Sequence, residues 1–471
     1  MLVRRSACYL IAVVLASLVL VPVRADETAT PAVTQPETGT KPQPNSDAEY
    51  YELFKVLADT MDQVERNYVK DVSRRELMEA AIHGVLSKLD PYSNYIGPND
   101  MGRFKVAVEN QFTGIGIQVD VRRGQLTVLS PIAGSPAYRA GVHAGDVITE
   151  IEDKSTEGIN IDEAVRRLKG EAGTTVKISV LHPGGKEAEK ITVTREVIQI
   201  ESVRGDRRDE HDDWDFMLDH DKKIGYIRIT SFGRDTPREL KKALDDLQNQ
   251  QLRGLVLDLR FNPGGLLTAA IEVADMFLTD GEIVSTSGRN SPKRSWSAHK
   301  LDTYTGFPMA VLVNHHSASA SEIVSASLQD HKRAIVVGER TWGKGSVQNV
   351  IEMEGGKSIL KLTTANYLRP SGHNIDRAVN AKESDEWGVK PDAGYEVKLD
   401  DAERFQLQLH RRDRDILITP ADKKPADNGE KTPVEGEKKP AEAGAADKPG
   451  FVDRQLAKAL EYLSTEMAKA D

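Results

Sequence analysis

Hydrophobic spacing changes period several times along the chain. An unbroken apolar run, ACYLIAVVLASLVLVPV, fills residues 7–23. Tyr50, Leu53, Phe54, Leu57, Met61 and Val64 then recur at helical spacing. RELMEAAIHGVLSKLD predicts a second helix ending before Pro91. From about Phe112 the period drops to two. TGIGIQVDV, QLTVLSP, GDVITEIED, TVKISVLH and KITVTREVIQI predict strands. SPAYRAG and IDEAVRRLKG predict short helices, each stopped by glycine. From Ile224 strands and helices alternate. IGYIRITSF, GLVLDLR, MAVLVN, RAIVVGE and SILKLTTANYL read as strands; RELKKALDDLQNQ and the stretch after FNPGGLL read as helices. Near the end FVDRQLAKALEYLSTEM regains a helical period through Leu456, Leu460 and Leu463.

Two stretches carry no such period. Residues 26–48 are rich in Thr, Pro, Gln and Glu, and residues 421–449 in Lys, Pro, Ala, Glu and Asp. Both read as disordered linkers with almost nothing to bury. The 471 residues exceed what one core holds. The formal net charge of −10 excludes a nucleic-acid partner, which needs a basic face.

The apolar run reads as an export leader. MLVRR gives it a basic start, and Val23 and Ala25 place small residues for cleavage after Ala25. The alternative is an uncleaved membrane anchor, since the run barely reaches the ~20 residues that span a bilayer. Either way the chain is expected to be exported, to a periplasmic or other extracytoplasmic location. Cys8 is the only cysteine and lies inside the leader. That excludes a thiol nucleophile, a thiolate metal site and disulfides in the mature chain.

GERTWGKGSVQ, residues 338–348, mimics part of a phosphate-binding loop. Gly345, however, stands where that loop needs Ser or Thr, and SVQNVIEM after it reads as a strand. A lysine in a glycine-rich turn has another use: buried, it loses its proton and becomes a base for a serine. SASAS, residues 317–321, joins the strand MAVLVN to the helix EIVSASLQD. A serine there stands at a helix N-terminus, whose free N–H groups suit an oxyanion; the same serines would equally cap the helix. Pro263, Gly264 and Gly265 form a tight turn able to add another donor, or an ordinary strand-to-helix turn. Gln348, four residues after Lys344, would share its face on a strand. Asp330 is ~16 Å along the helix from Ser319, too far to orient it. His315 and His316 are read at the end of one strand on opposite faces, poorly placed as bases for Ser319. No G-x-S-x-G elbow and no H-E-x-x-H motif occurs. The acidic run DEHDDWDF offers ligands for calcium but reads first as a solvated loop.

LDPYSNYI, FTGIGIQV, SPAYRAGVHAGDVI, LDLRFNPGGLL, SASASEIVSASLQD and GERTWGKGSVQ, in this order and spacing, resemble the C-terminal processing (tail-specific) proteases, peptidase family S41. The resemblance covers about Tyr50 to Asp392 and includes the final helix. It implies an α+β multidomain chain with an α/β Ser–Lys protease core of the ClpP/crotonase-like type. The parts would be a signal peptide (1–25), a linker (26–48), an N-terminal helical region (49–105), a PDZ domain (106–200), the protease core (201–420), a charged linker (421–449) and a C-terminal helix (450–471). It implies Ser319 as nucleophile, Lys344 as base and Gln348 as its support. The oxyanion donors become the backbone N–H groups of Gly265 and Ala320, with Gly264 as the alternative to Gly265. The PDZ carboxylate loop would include Gly114, Ile115, Gly116 and Ile117. No cofactor and no metal is implied. The expected partners are protein or peptide substrates with apolar C-termini, with an adaptor or activator and self-association through the helical ends left open. The chain departs from the family at Trp342, usually Phe or Tyr, and at Lys169, often Arg. The rival readings are a catalytically silent peptide-binding protein of this fold and a Ser–His hydrolase using His315 or His316.

Overall fold

A computed structural model describes residues 18–19, 47–417 and 451–470. The leader apart from Leu18–Val19, most of the first linker and the charged 421–449 segment lie outside them. The chain divides into two compact units. One holds residues 105–346 and 366–471, the other 18–104 and 347–365.

The expected protease core, in the first unit, is built on four parallel strands. Ile224–Ile229, Gly254–Asp258, Met309–Val313 and Ile335–Gly338 are neighbours in that order. Val203–Arg204 and Met217–Asp219 run antiparallel to Ile224–Ile229. Every residue of the first three strands is buried, as expected of a parallel sheet covered on both faces. The two faces can be told apart by their glycines. A Cβ on Gly225 would lie 2.8 Å from Leu247, which puts the helix Thr236–Asn249 on one face. A Cβ on Gly254 would meet Met467 at 3.1 Å, which puts the helix Arg454–Ala470 on the other. That last helix packs Ala459, Leu463 and Met467 against Tyr226, Val256, Leu312 and Val337. Its apolar stripe is thus spent inside the chain.

A buried charge network fixes the start of the same helix. Arg260, 2 % exposed, donates to Asp258 (2.7 Å), Asp453 (2.7 Å) and Gln455 (3.0 Å). Burial opposes ionisation of Asp258, but Arg260 and Arg411 outweigh it and hold the carboxyl well below the usual carboxylate range. Removing one partner of a buried pair strands the other charge. Asp453→Ala should therefore cost about 2–4 kcal/mol. It should lower the denaturant midpoint and open the C-terminal helix to proteolysis; an unchanged midpoint would refute the anchoring role.

The region expected to be a PDZ domain, also in the first unit, is an antiparallel sheet ordered Ile117–Arg122, Gln125–Pro131, Val147–Ile151, Thr175–Leu181, Glu189–Thr194. Helices Pro136–Arg139 and Ile161–Leu168 close it over Leu126, Ile148, Val176 and Val180. Ile117–Arg122 is an edge strand.

In the second unit, helices Asp47–Asn67 and Arg74–Leu86 precede a strand, Asn94–Ile96, that pairs antiparallel with Ile359–Lys361. The first helix begins inside the stretch read as linker. Its stripe stays exposed: Tyr50, Leu53, Phe54 and Leu57 all face outward.

Several elements escape the periodicity reading. The helix Asp401–Asp415 buries only Leu407 and is charged at both ends, Asp401, Glu403 and Arg404 at one and Arg411 to Asp415 at the other, so it shows no apolar stripe. The helix Met101–Glu109 and the hairpin Glu282–Gly288/Ser291–Ser297 were likewise unread. The acidic run is not a plain solvated loop. Arg207–Arg208 and Trp214–Asp215 pair as a hairpin, with the Arg208 guanidinium 4.0 Å over the Trp214 ring.

Candidate active site

Loops at the carboxyl ends of parallel strands are where open α/β sheets place their sites. Three such loops converge here: 259–266 after Gly254–Asp258, 314–319 after Met309–Val313, and 339–345 after Ile335–Gly338.

The serine turn sorts its own hydroxyls. Ser317 donates to the Leu259 carbonyl (2.9 Å) and Ser321 to the Asn262 carbonyl (3.0 Å). Both fasten the turn to the neighbouring loop. Ser319, fully buried, sits immediately before the helix Ala320–Asp330 with φ 57° and ψ −111°. A side chain rarely adopts this backbone, at a cost of about 1–3 kcal/mol, and such strain collects at functional positions. The turn therefore has the strained, sharp geometry of an elbow without the G-x-S-x-G motif.

The lysine loop answers the phosphate question. Lys344 lies between strands Ile335–Gly338 and Ser346–Met353, with no helix after it. Its side chain is 1 % exposed, which is costly for an ammonium. Gly343 and Gly345 let other chain segments close in. Their Cβ atoms would stand 2.7 Å from Arg377 and 2.2 Å from the Asp376 nitrogen. Lys344 precedes the strand, so strand alternation does not set its direction toward Gln348.

Glu322 ties the two loops together. One carboxylate oxygen accepts from the Ser319 N–H (2.7 Å) and the Lys344 N–H (2.8 Å). The other accepts from the Thr341 hydroxyl and the Gly343 N–H, both at 2.6 Å. Burial pushes the carboxyl up, and these four donors oppose that shift. The Trp342 N–H adds a bond to the Ser317 carbonyl at 2.9 Å. Glu322 was missed in the sequence, although Ser-x-x-Glu is the spacing by which a glutamate reaches back to a helix N-cap.

Gly264 and Gly265 differ in what their N–H groups can do. A Cβ on Gly264 (φ 101°) would strike the Ala318 carbonyl at 2.7 Å and the Ser319 Cβ at 2.8 Å, so this backbone lies against the serine. The Gly264 N–H is already bonded to Asn262 Oδ1 at 2.8 Å. Among the described residues no protein acceptor takes the N–H of Gly265 or of Ala320.

The remaining candidates fall elsewhere. Gln348 belongs to the second unit, buried, donating to Thr363 Oγ1 at 3.2 Å; the Thr363 N–H in turn meets Ser93, which donates to Asp90. His315 and His316 are not on opposite faces of a strand. They lie in the turn with ring centroids 3.8 Å apart, His315 bonded to Glu339 at 2.9 Å and His316 stacked on Phe261. Asp330 pairs with Arg369 at 2.6 Å, a structural contact. In the PDZ unit Gly116 has φ 79°, and its carbonyl accepts from Ile132 N–H and Ser135 Oγ, both at 2.9 Å. The Ile115 carbonyl accepts from Ala137 N–H. The Gly114–Ile117 loop is thereby pinned at the start of the edge strand.

Comparison with known proteins gives these loops a context. Residues 223–394 match the model of peptidase family S41, residues 127–181 that of the PDZ domain, and residues 21–99 that of the activating protease CtpB N-terminal domain. The chain is 36% identical over 375 residues to a carboxy-terminal-processing protease of Bartonella bacilliformis, spanning 76% of this chain and 81% of that one. It is 34% identical over 346 residues to the carboxy-terminal processing protease CtpA of Bacillus subtilis, spanning 73% and 69%. Among solved structures, a photosystem II D1 C-terminal processing protease aligns with 77% of this chain and 97% of its own at 27% identity and a TM-score of 0.41. With such identity over most of both lengths, the chain belongs to the carboxy-terminal processing proteases of peptidase family S41, serine-type peptidases that carry a PDZ domain.

Proposed function

We propose that the protein is an exported endopeptidase that cuts protein substrates near their C-termini through a Ser319–Lys344 dyad. The observation that carries this is the shared oxygen of Glu322. Two backbone nitrogens bonded to one atom at 2.7 and 2.8 Å stand no further apart than those lengths combined, and Ser319, Glu322 and Lys344 are all buried. Burial favours the neutral amine of Lys344. That amine takes the Ser319 proton as Oγ attacks the scissile carbonyl. The N–H groups of Gly265 and Ala320 receive the oxyanion. Lys344 then protonates the leaving amine, and water, activated the same way, releases the acyl group from Ser319.

The PDZ edge strand Ile117–Arg122 suits a peptide added as a further strand, its terminal carboxylate held by the Gly114–Ile117 loop. Tethering that loop to the protease raises the local concentration of chain ends. The basic start, apolar run and Val23–Ala25 boundary support export with cleavage after Ala25.

The test is cleavage of an unstructured protein with an apolar C-terminus by the mature chain, Ser319→Ala and His315→Ala. We expect Ser319→Ala to bind the C-terminal peptide undiminished and to cut nothing, with His315→Ala active. A wild-type chain that binds the peptide and never cuts it would instead establish the silent peptide-binding reading.

A further inference from the structure

We infer that the PDZ unit carries a binding site for a divalent transition-metal ion of the zinc class, formed by His143, Asp146 and His182. The sheet register brings these residues together. Val147 pairs with Leu181 in the antiparallel ladder, so Asp146, one residue before, stands opposite His182, one residue after. His143 joins them from three residues back across a tight turn. That turn is held by the Gly145 N–H on the Val128 carbonyl and the Val128 N–H on the Asp146 carbonyl, both 2.8 Å. His182 is fixed in the same way by a second turn, its carbonyl accepting from Gly185 N–H at 2.9 Å. The two turns touch, since a Cβ on Gly145 would meet Pro183 at 3.2 Å.

The donor atoms are close and chemically suited. One ligand atom from each residue lies within 4.8 Å of the others. A tetrahedral ion with bonds of about 2.0–2.2 Å wants them about 3.3–3.6 Å apart, which rotation of the partly exposed imidazoles supplies. Asp146 is fully buried: its Oδ1 is 2.8 Å from the His182 Nδ1, and its Oδ2 accepts the backbone N–H of His143 at 2.7 Å. Each carboxylate oxygen keeps a further lone pair. When an ion takes Nδ1 of neutral His182, the ring proton sits on Nε2, where Glu189 Oε2, 3.4 Å away, accepts it. A carboxylate behind a ligating imidazole is the usual outer-sphere support of such sites. Two imidazoles and one carboxylate favour zinc, cobalt, nickel or copper over calcium and magnesium, which prefer oxygen alone. A fourth position stays open for water.

No sequence motif announces this site, because His182 lies 36 residues after Asp146 and meets it only through the strand register.

The experiment is titration of the metal-free mature chain with zinc chloride by calorimetry, and with cobalt chloride by visible absorption. We expect one saturable site and a tetrahedral cobalt band. His143→Ala and His182→Ala should each weaken zinc at least tenfold and together abolish the band. His299→Ala, an exposed histidine of the protease core, should leave both unchanged. Zinc should raise the unfolding temperature of the wild type and not of the double variant. Absence of saturable binding, or binding undiminished in the double variant, would overturn the proposal and leave an ordinary Asp146–His182 hydrogen bond. Circular dichroism of the two single variants, whose side chains are partly exposed, separates loss of ligand from loss of fold.

Discussion

We expect Lys344→Ala to remove peptide-bond cleavage, lowering kcat/KM by at least about 10³-fold, the upper range for loss of a general base. Lys344→Arg should be equally inactive, because a guanidinium keeps its proton and cannot accept another. The wild-type rate should rise with pH as the lysine deprotonates, and that limb should persist in His315→Ala and His316→Ala. The structure gives reasons for the persistence. His315 is engaged with Glu339 at 2.9 Å, and His316 is stacked on Phe261. Burial, then the neighbouring His315 and Arg404, push the His316 imidazole below its ordinary value. A histidine base would instead make the limb vanish in one of these variants while Lys344→Ala kept most of the rate. Steady-state cleavage of one unstructured substrate across pH, with peptide binding measured alongside, decides between them.

What the sequence disclosed and withheld follows from the range of each signal. Alternation and helical spacing act over a few residues, so the strands at Ile224, Gly254 and Met309 and the helix at Ala320 were readable. The helix Asp401–Asp415 was not, because its contacts are ion pairs such as Arg411–Asp258 rather than an apolar stripe. At the site, the serine turn and Lys344 stood out because small residues and glycines surround them in the chain, while the choice of Ser319 among the serines came from the resemblance. The choice between Gly264 and Gly265 was not visible, since it turns on where one Asn262 side chain points. The Lys344–Gln348 spacing argument presupposed a strand that begins only at Ser346. Glu322 was hidden for a related reason: its spacing reads as helix capping, and only the fold brings Thr341, Gly343 and Lys344 to the same carboxylate.

That carboxylate carries the second large effect. Glu322→Gln keeps the size and replaces one acceptor oxygen with an amide nitrogen. Whichever way the amide turns, two former donors face it: Ser319 and Lys344, or Thr341 and Gly343. Each buried donor left unmet costs about 1–3 kcal/mol, so one loop must shift. Misplacement of reacting groups by ~1 Å costs about 10²-fold in rate. Glu322→Gln should therefore lower kcat at least 10²-fold with KM and C-terminal peptide binding nearly unchanged, because the PDZ unit is untouched. Glu322→Ala, which strands all four donors and opens a cavity, should lose stability as well as activity. Glu322→Asp, which keeps the charge but shortens the reach, should recover part of kcat. A role confined to capping the helix predicts another pattern: lower unfolding midpoints with kcat intact in the folded fraction. Measuring kcat and KM on each variant at a temperature where its circular dichroism is native separates a carboxylate that holds the two catalytic backbones in place from one that merely holds the fold.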